Sequence, residues 1–545
     1  MAAAAVAAGS LAAAIGCSST TTTSGAPSTS GTAPVISASL SDEGAPIDGG
    51  GLRVGIGAES DGWNPHANKW ANWGSVVGSS ILEPLAVLDE KFEAKPWLAT
   101  SFTPNKTYDE WTLELRNDVK FQNGEPFNAE AVKVNIDDGV KAPLSGVAMS
   151  GLFKQVTATG PYTVKIELQQ PWAAFPTSYL AGQSAMMMAP AMLSSEDAGQ
   201  KHPIGTGPFT FDEWKVDSYV RVKKNPTYWR KGEPHLDQIE FRIVGDPNSQ
   251  ANALRANDVN MVFTSSADNA VQMKDDFQIV KNWRTEPNEI LANSAAEANG
   301  KPNPVSNQHA RLALAHATDP KAIVEVLGEG VEIPTSPFAP DNPWGQPSDQ
   351  NGYPAFDLEK AKAEVAAYKK DTGDSQLAVG VIGAASPQSN QVLQLLQAQW
   401  RAAGIDATIE NVEPAVQIQR TITGNYQLSL FAHLTSPEPD QDWYFWSSTT
   451  APGKGGININ FSQYKSPDID AALKKGRETA DPVTRKAAYS EVVKLLNAQA
   501  LNIWLYWTPH TLIAAPNVHG LKAVAAVPFA NFQPKTWFGQ LWISR

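Results

Sequence analysis

Residues 389–409 read SNQVLQLLQAQWRAAGIDATI and predict a helix followed directly by a strand. Apolar side chains recur at helical spacing along one face of the helix, at Val392, Leu395, Leu396 and Trp400. Gly404 predicts the end of this helix, because glycine adopts the left-handed backbone conformation without a steric penalty. The residues after it alternate between apolar and polar at the period of a strand, with Ile405, Ala407 and Ile409 on one face. A helix that leads into a strand is typical of an α/β fold.

The same alternation of strands and helices continues through both halves of the chain. Apolar residues at period two predict strands at 52–56, 111–115, 162–168 and 239–243. Asp357 and Asp481 are each placed to cap a helix that carries an apolar stripe. We therefore expect mixed α/β lobes rather than a β-sandwich or a helical bundle.

Length and charge restrict the classes of protein that fit. A chain of 545 residues exceeds what one hydrophobic core supports, so several lobes are expected. The net charge is −13, and Lys and Arg never occur in runs of more than two. Nucleic acids and anionic membrane surfaces need clustered basic residues, so both are excluded as main partners. The 17 tryptophans suit either the core or the wall of a broad binding cleft.

The N-terminus predicts export and lipid attachment. Residues 2–16 are small and apolar, too few to span a membrane, and they resemble a signal peptide. The tetrapeptide Ala14-Ile15-Gly16-Cys17 resembles the lipobox of bacterial lipoproteins, so we expect cleavage before Cys17 and acylation of its thiol. The alternative is an incidental or buried cysteine. Because no Lys or Arg precedes Arg53, we expect the natural start to lie further upstream.

Residues 18–47 predict a flexible tether, since they are rich in Ser, Thr, Gly and Pro and show no apolar periodicity. Cys17 is the single cysteine, which excludes an internal disulfide and any cysteine-based metal site.

Motifs for catalysis are missing from the sequence. No G-x-S-x-G, Walker A or H-E-x-x-H pattern occurs, and the eight histidines are dispersed. His433 is the one histidine to consider as a metal ligand, and a lone histidine supports that role weakly. We predict no catalytic residue, no bound metal and no cofactor.

Eight sequence blocks in order resemble the dipeptide/oligopeptide-binding family of ABC-importer solute-binding proteins, known as solute-binding family 5. The resemblance covers roughly residues 50–545. The blocks are LRVGIGAESDGWNP at 52–65, ILEPLAVLD at 81–89, PWLA at 96–99, WTLELRNDVKFQNGEPFNAEAV at 111–132, HPIGTGPFTF at 202–211, NPTYWRKGEPHLDQIEF at 225–241, RLALAHATDPKAIVEVLGEG at 311–330 and FDLEKAKAEV at 356–365.

The resemblance implies an α/β, periplasmic-binding-protein-like fold of two lobes with a hinge and an extra subdomain inserted in the N-lobe. In such a fold the ligand is enclosed when the lobes close about the hinge. The expected segments are 1–17 for the signal peptide with its lipobox, 18–47 for the tether, 48–92, 205–300 and 515–545 for the N-lobe, 93–204 for the inserted subdomain, and 301–514 for the C-lobe.

By the same resemblance, the segment 426–446 faces the ligand. A strand would end there, and the backbone of Ala432, His433 and Leu434 would pair with an extended peptide by strand addition. The family places an acid after this strand to bind the α-ammonium of the peptide. Here that position is Ser436, or Thr435 with a shift of one residue. Glu438 and Asp440 lie nearby and could replace it, although a turn or capping role for Asp440 is equally open. By a looser match, Glu289 is a further candidate, expected to face the cleft near the hinge.

Aromatic residues complete the predicted ligand site. Trp70 and Trp73 lie where the family lines the cleft, with lobe packing as the alternative. The remaining candidates from the same resemblance are Trp63, Trp443 and Trp507. Trp507 and its neighbour Thr508 are expected near the other crossing of the hinge.

The resemblance predicts an extracytoplasmic lipoprotein, anchored to the outer face of the bacterial cytoplasmic membrane, that captures peptides or peptide-like solutes. It would be a monomer that closes on its ligand and delivers it to the permease subunits of an ABC importer. Two alternatives remain open. The chain could be a transport-independent regulator or scaffold with the same fold, or it could bind a non-peptide solute.

Overall fold

The computed structural model describes residues 36–38, 44–68, 70, 72–89, 91–142, 145–149, 151–328, 330–433, 436, 438–453, 456, 458–521, 526–527 and 537–544. The predictions for the signal peptide, Cys17, Leu434 and Thr435 lie outside these residues. Residues 32–545 form one compact unit, and the description below concerns that unit.

Strands are numbered in chain order. They are β1 Ile36–Ala38, β2 Gly51–Ile56, β3 Glu83–Pro84, β4 Ala86–Asp89, β5 Ala94–Pro96, β6 Ala99–Pro104, β7 Glu110–Leu115, β8 Phe153–Ala158, β9 Thr163–Leu168, β10 Met186–Met187, β11 Phe209–Lys215, β12 Tyr219–Lys224, β13 Gln238–Ile243, β14 Met261–Thr264, β15 Gln278–Ala292, β16 Glu297–Ala298, β17 Lys301–Pro302, β18 Leu377–Ala384, β19 Ile405–Val412, β20 Leu428–Ala432, β21 Asn502–Ala514, β22 Val518–His519, β23 Ala526–Val527 and β24 Trp542–Ile543.

Helices are numbered in the same way. They are α1 Asn72–Ile81, α2 Ala129–Lys141, α3 Ser145–Met149, α4 Pro190–Leu193, α5 Pro247–Arg255, α6 Ala267–Met273, α7 Gln308–Ala317, α8 Pro320–Leu327, α9 Leu358–Thr372, α10 Pro387–Ala402, α11 Pro414–Thr423, α12 Trp443–Trp446, α13 Pro467–Glu478 and α14 Pro482–Ala498. Short helical turns occur at Pro176–Leu180, Gln183–Ala185, Pro304–Ser306, Pro439–Asp442, Ser448–Thr450 and Phe538–Gln540.

The helix and strand predicted from residues 389–409 form as α10 and β19. The helix begins two residues earlier than predicted, because the side chain of Ser386 caps it by accepting the backbone N–H of Ser389 and Pro387 occupies the first turn. Gly404 has a φ of +86°, as the predicted helix end requires. β19 then pairs in parallel with β18 along its whole length.

One sheet joins both halves of the chain. Its order is β11-β12-β13-β2-β14-β21-β15-β20-β18-β19, with β1 paired to β15. β15 and β21 are the two longest strands, and they pair with each other over most of their lengths. β1 lies inside the segment predicted as a tether, and residues 36–38 differ from that prediction because they pair with 279–281.

The hydrophobic cores divide the molecule into two lobes. One core contains residues between Leu52 and Val280 together with Leu512 to Leu541. The other contains residues between Ile290 and Tyr506. The change of core along β15 and along β21 shows that these two strands cross between the lobes.

The inserted segment builds its own sheet on the first lobe. Its strand order is β6-β7-β9-β8, and α2 packs against it with Asn128 as its N-cap. Its apolar residues, including Leu113, Val132 and Ile166, belong to the same continuous core as the first lobe. Among the described residues, no helix combines the length and the apolar character needed to cross a membrane.

Candidate ligand cleft and interlobe contact

Strand directions place two sets of strand ends opposite each other. β13 and β14 run parallel to β2, and β14 runs parallel to β15 because both are antiparallel to β21. In the second lobe, β18 and β19 run parallel to β20, which is antiparallel to β15. The carboxyl ends of both sets therefore point toward the crossing. In open α/β sheets, ligands bind outside the carboxyl ends of the strands.

The two crossing strands form the floor between these edges. β14 ends opposite Thr511, which pairs with Lys281, and β20 ends opposite Asn288. The two edges are thus separated by the seven residue steps from Lys281 to Asn288 on β15, which is at most about 23 Å of strand. The register of β15 on β21 shifts between Trp283 and Pro287, so the ladder is irregular at the middle of the floor.

Polar side chains occupy the floor. Thr508 Oγ1 donates to Glu286 Oε1 at 3.1 Å and accepts from Asn288 Nδ2 at 2.6 Å. His510 Nε2 lies 3.3 Å from the other carboxylate oxygen of Glu286. Buried polar groups of this kind are held in place by mutual hydrogen bonds.

His433 follows β20 and lies at the edge of the floor. Its Nδ1 is 3.4 Å from Glu289 Oε1, and Asn502 Nδ2 donates to Glu289 Oε2 at 2.5 Å. The imidazole stacks parallel to Trp446 at 6.2 Å and meets the edge of Trp504 at 5.8 Å. It is 94% buried, and its Nε2 has no hydrogen-bond partner among the described residues. Glu289 is buried beside His433 on β15, and whether it contacts ligand stays a prediction.

The predicted strand-addition edge is only partly open. The ladder between β18 and β20 stops at Ser429, three residues before Ala432, so this edge of β20 is left for another strand. The N–H of His433 donates to the carbonyl of Pro287 at 2.8 Å. Of the three backbone groups expected to bind ligand, the N–H of His433 is therefore already used within the protein, and Leu434 lies outside the described residues.

Trp63, Trp70 and Trp73 follow β2 at the edge of the first lobe. Trp63 is buried edge-on against Trp214, and its indole Nε1 has no partner among the described residues. Trp70 donates to the carbonyl of Gly62 at 3.0 Å, and Trp73 packs edge-on against Phe263. All three contact the lobe, and whether they also contact ligand stays a prediction.

Ser436 is tied to residues of its own loop. Its backbone N–H donates to both carboxylate oxygens of Asp442, at 3.0 and 3.1 Å, and its hydroxyl bonds Gln441. Asp442 is fully buried, and no cation pairs with it among the described residues. Burial raises the pKa of Asp442 well above its ordinary value, and the neighbouring Glu438 and Asp440 raise it further. The sequence argument missed Asp442, although it lies only six residues after Ser436.

Glu438 and Asp440 each bind an arginine from the following helices. Arg485 Nη2 lies 2.5 Å from Glu438, and Arg477 Nε lies 2.9 Å from Asp440. Tyr489 also donates its hydroxyl to Asp440 at 3.1 Å. Burial raises the pKa of Glu438, while the charge of Arg485 opposes that effect. Both carboxylates therefore have cationic partners inside the second lobe.

The inserted subdomain contacts this same loop of the second lobe. The indole Nε1 of Trp172 donates to Asp440. The hydroxyl of Thr177 shares its proton between Glu438 at 3.2 Å and the carbonyl of Ala174, in its own subdomain, at 3.0 Å. Gln441 Nε2 donates to the carbonyl of Thr177 at 2.6 Å. The N–H of Ala173 donates to the carbonyl of Arg477 at 2.8 Å. These contacts join residues about 260–300 positions apart, and no local sequence signal identified Trp172, Thr177 or the two arginines.

The last two predicted aromatic residues have separate settings. Trp443 stacks on the guanidinium of Arg477 at 4.5 Å, so it belongs to the contact with the inserted subdomain. Trp507 is buried on β21 at the floor, and its backbone N–H donates to the backbone carbonyl of Glu332.

Within the described part of the chain, no group of three or more His, Cys, Asp or Glu side chains is arranged to hold a metal ion. His433 thus stands beside one carboxylate and three aromatic rings rather than in a cluster of ligands.

Comparison with known proteins gives one consistent result. The family model "Bacterial extracellular solute-binding proteins, family 5 Middle" matches residues 93–456. The glutathione-binding protein GsiB of Escherichia coli O157:H7 is 27% identical over 466 residues, which cover 79% of this chain and 87% of GsiB.

Solved structures share the fold. The oligopeptide-binding protein AppA of Bacillus subtilis, in complex with a nonapeptide, superposes with a TM-score of 0.78 at 21% identity, over 92% of this chain and 100% of AppA. The periplasmic binding protein DppA of Helicobacter pylori, in complex with the peptide STSA, gives 0.77 at 22%, over 92% and 99%. The predicted two-lobe α/β fold is thereby confirmed, and the chain belongs to the bacterial extracellular solute-binding proteins of family 5.

Proposed function

We propose that this protein is the extracytoplasmic, lipid-anchored binding component of an ABC importer for peptides or peptide-like solutes, and that it is not an enzyme. The observation that carries the proposal is the pair of strand edges that face each other across a floor of two crossing strands. A solute held there contacts both lobes, so binding favours the closed arrangement. The partners are the permease subunits in the membrane, and the binding protein acts as a monomer.

The proposed ligand residues lie on the two edges and the floor. Trp63, Trp70 and Trp73 supply the wall of the first lobe, and Ala432 and His433 supply the edge of the second. Trp507 and Glu289 lie at or beside the floor. Glu438, Asp440 and Trp443 take part in the contact with the inserted subdomain, and Ser436 is bonded within its own loop, so we assign these four a smaller share of ligand binding than the sequence suggested.

We also propose that the solute has no free α-ammonium at the position of Ser436. Glu438 and Asp440 already pair with arginines, and Glu289 already accepts from His433 and Asn502. Burial raises the pKa of Asp442, and both of its carboxylate oxygens already accept the backbone N–H of Ser436. A buried ammonium without a carboxylate partner is strongly disfavoured. A blocked or cyclic peptide, or another solute rich in amides, meets this condition.

Calorimetry with the tetrapeptide Ser-Thr-Ser-Ala and its N-acetylated form tests this proposal. We expect the acetylated form to bind at least as tightly as the free peptide. Acetylation that abolishes binding would refute the absence of an ammonium site. In that case, loss of free-peptide binding on Asp442→Asn alone would identify Asp442 as the partner. Mass spectrometry of ligands that co-purify with the full chain identifies the natural solute independently.

Lipid attachment is tested separately in the native host. Cys17→Ala should move the protein from the membrane fraction to the soluble fraction, because the acylated thiol is its proposed anchor. A variant that still sediments with membranes contradicts the lipid anchor without affecting the proposed cleft. A transport-independent regulator is the second candidate. If the purified protein binds the solute and deletion of its gene leaves uptake of that solute unchanged, the regulator is favoured over the importer component.

A further inference from the structure

We propose that residues Trp172, Ala173 and Thr177 of the inserted subdomain form a latch that holds the two lobes together, with Trp172 as its positioning residue. The latch regulates access to the cleft, and the proposal therefore rests on the proposed function. It concerns a contact between protein groups only, so it can be tested without any solute.

The latch joins groups that belong to different cores. Trp172 packs in the core of the first lobe, edge-on to Phe175 at 5.3 Å. Asp440 lies in the turn Pro439–Asp442 and Arg477 in α13, both in the second lobe. The covalent route between the two sides runs through the crossing strands β15 and β21. A rotation of one lobe relative to the other about those strands must therefore break the contact, unless the inserted subdomain moves together with the second lobe.

Trp172 makes two kinds of interaction with the second lobe. Its indole N–H donates to Asp440, and its ring lies on the guanidinium of Arg477, 4.7 Å from the ring centroid. Trp443 contacts the same guanidinium, at 4.5 Å from its ring centroid. Arg477 is thus in contact with one indole from each lobe. A cation between aromatic faces is favoured most when it is desolvated, as it is here.

Thr177 and Ala173 extend the contact along the chain. The hydroxyl of Thr177 shares its proton between Glu438 and the carbonyl of Ala174 in its own subdomain. The carbonyl of Thr177 accepts from Gln441, and the backbone N–H of Ala173 donates to the carbonyl of Arg477. Four hydrogen bonds cross the contact. Two of them reach the charged side chains of Asp440 and Glu438, and a third reaches the main-chain carbonyl of Arg477. Hydrogen bonds to ionised groups are stronger than those between neutral groups.

Separation of the lobes does not break the ion pairs themselves. Arg477 with Asp440, and Arg485 with Glu438, both lie entirely within the second lobe. What separation removes is the cover that Trp172 and Thr177 provide. The acids then regain water, so the loop is stable in either arrangement. This makes the contact reversible, which a latch requires.

The latch should affect the affinity for every solute by the same factor. A ligand that binds only the closed arrangement has an apparent Kd that rises as the closed population falls. Removing the hydrogen bond from Trp172 to Asp440 should shift the open–closed equilibrium by about tenfold, the effect of one charge-assisted hydrogen bond. Every solute should weaken by the same factor, because Trp172 acts through the position of the lobes.

The test measures the distance between the lobes in the full chain by pulsed electron resonance. Spin labels are placed on the exposed Lys154→Cys and Lys475→Cys in a Cys17→Ser background. The variants are Trp172→Phe, which keeps a ring on Arg477 but removes the N–H, Trp172→Ala, and Thr177→Val. The matched control is Trp111→Phe, because Trp111 is buried in the same subdomain and its Nε1 has no partner among the described residues.

Without solute, we expect the distance distribution to move to longer values in the order wild type, Thr177→Val, Trp172→Phe and Trp172→Ala, with Trp111→Phe unchanged. If Trp172→Ala does not fold, Trp172→Phe and Thr177→Val still decide the matter. Identical distributions for wild type and the folded variants overturn the latch. Longer distances in a protein that binds no peptide would keep the latch and reject the solute class, so the two failures are distinguishable.

Discussion

Buried acids in the two lobes of this protein are stabilised in different ways. Glu83, in the first lobe, accepts four hydrogen bonds from neutral side chains, at distances of 2.7–3.0 Å. The donors are Trp97, Thr206, Tyr228 and Trp229. No cation forms an ion pair with Glu83 among the described residues. Glu438 and Asp440, in the second lobe, instead pair with arginines and receive further donors from the inserted subdomain.

The difference shows which contacts are permanent. All four donors to Glu83 come from the same lobe, so they stay in place when the lobes move. Each lies in one of the sequence blocks that resemble the family, which explains how blocks far apart in sequence serve one structural purpose. Glu438 and Asp440 depend in part on the opposite lobe, so their full set of partners exists only when the lobes are in contact. Their arginines keep them stable when it is broken.

Replacing Glu83 with Leu should have the largest effect. It leaves four buried donors without an acceptor, and each unsatisfied group costs about 1–3 kcal/mol, less the relief of a desolvated carboxyl group. We expect a loss of about 4 kcal/mol in the first-lobe unfolding transition, measured by denaturant titration followed by tryptophan fluorescence. The control is Glu93→Gln, which removes an exposed pair with Lys95 and should change stability by less than about 0.5 kcal/mol. A small effect at Glu83 would mean that water replaces the acid.

Replacing Arg477 with Met should rank second. The change leaves Asp440 buried without its arginine, which destabilises a protein by about 3 kcal/mol. Trp172 and Tyr489 still donate to the carboxylate, so the loss should be smaller than at Glu83. The double variant with Asp440→Asn should recover part of the stability. Additive losses in that double-mutant cycle would contradict direct coupling between the two groups.

The pH dependence of Glu83 distinguishes the two acid groups at a smaller scale. Burial raises the pKa of Glu83 above its ordinary value of 4.5, and its four hydrogen bonds only partly oppose this. Because the folded state holds this proton more tightly, the stabilisation is fully present below pH 4.5 and is lost as pH rises through the folded pKa. The advantage of wild type over Glu83→Gln should thus shrink with rising pH, by about 1.4 kcal/mol for each pH unit by which the pKa is raised.

Parallel denaturant titrations of wild type and Glu83→Gln between pH 4 and pH 8 provide the measurement. A spacing of about one pH unit between points is enough to resolve the slope of the stability difference against pH. Other titrating groups are common to both proteins and cancel in the difference. A difference that grows with pH would show that the pKa of Glu83 is lowered in the folded protein.

Much of the fold could be predicted from local patterns. The stretch 389–409 contains its own helix cap, apolar face and strand period, so α10 and β19 follow from nearest-neighbour physics. The placement of β20 before His433 came from the family resemblance. The family resemblance also suggested hinge crossings near Glu289 and near Trp507. The register that pairs these two strands, more than 200 residues apart, did not follow from either source.

The site was less predictable, for a physical reason. Acids near a cleft look alike in sequence whether they bind ligand or pair within the protein. Glu438 and Asp440 meet arginines 47 and 37 residues later, and only the packing of α13 and α14 brings those arginines to them. Trp172 is even more remote, since it reaches Asp440 across the boundary between lobes. Such partners carry no spacing that a single sequence displays.

Thr177→Val should have the smallest effect on stability and still be informative. The change keeps the volume of the side chain and removes the hydroxyl, whose single proton can reach Glu438 at 3.2 Å or the carbonyl of Ala174, in its own subdomain, at 3.0 Å. The global loss should be at most about 1 kcal/mol. The bond to Ala174 is lost in any background, whereas the bond to Glu438 crosses between lobes. In a Trp172→Ala background, Thr177→Val should therefore have almost no further effect on the interlobe distance, and a smaller effect on stability than in wild type. Thr177→Ser, which keeps the hydroxyl, should match wild type. Equal effects of Thr177→Val in both backgrounds would show that Thr177 acts only within its own subdomain, independently of the contact that distinguishes Glu438 from Glu83.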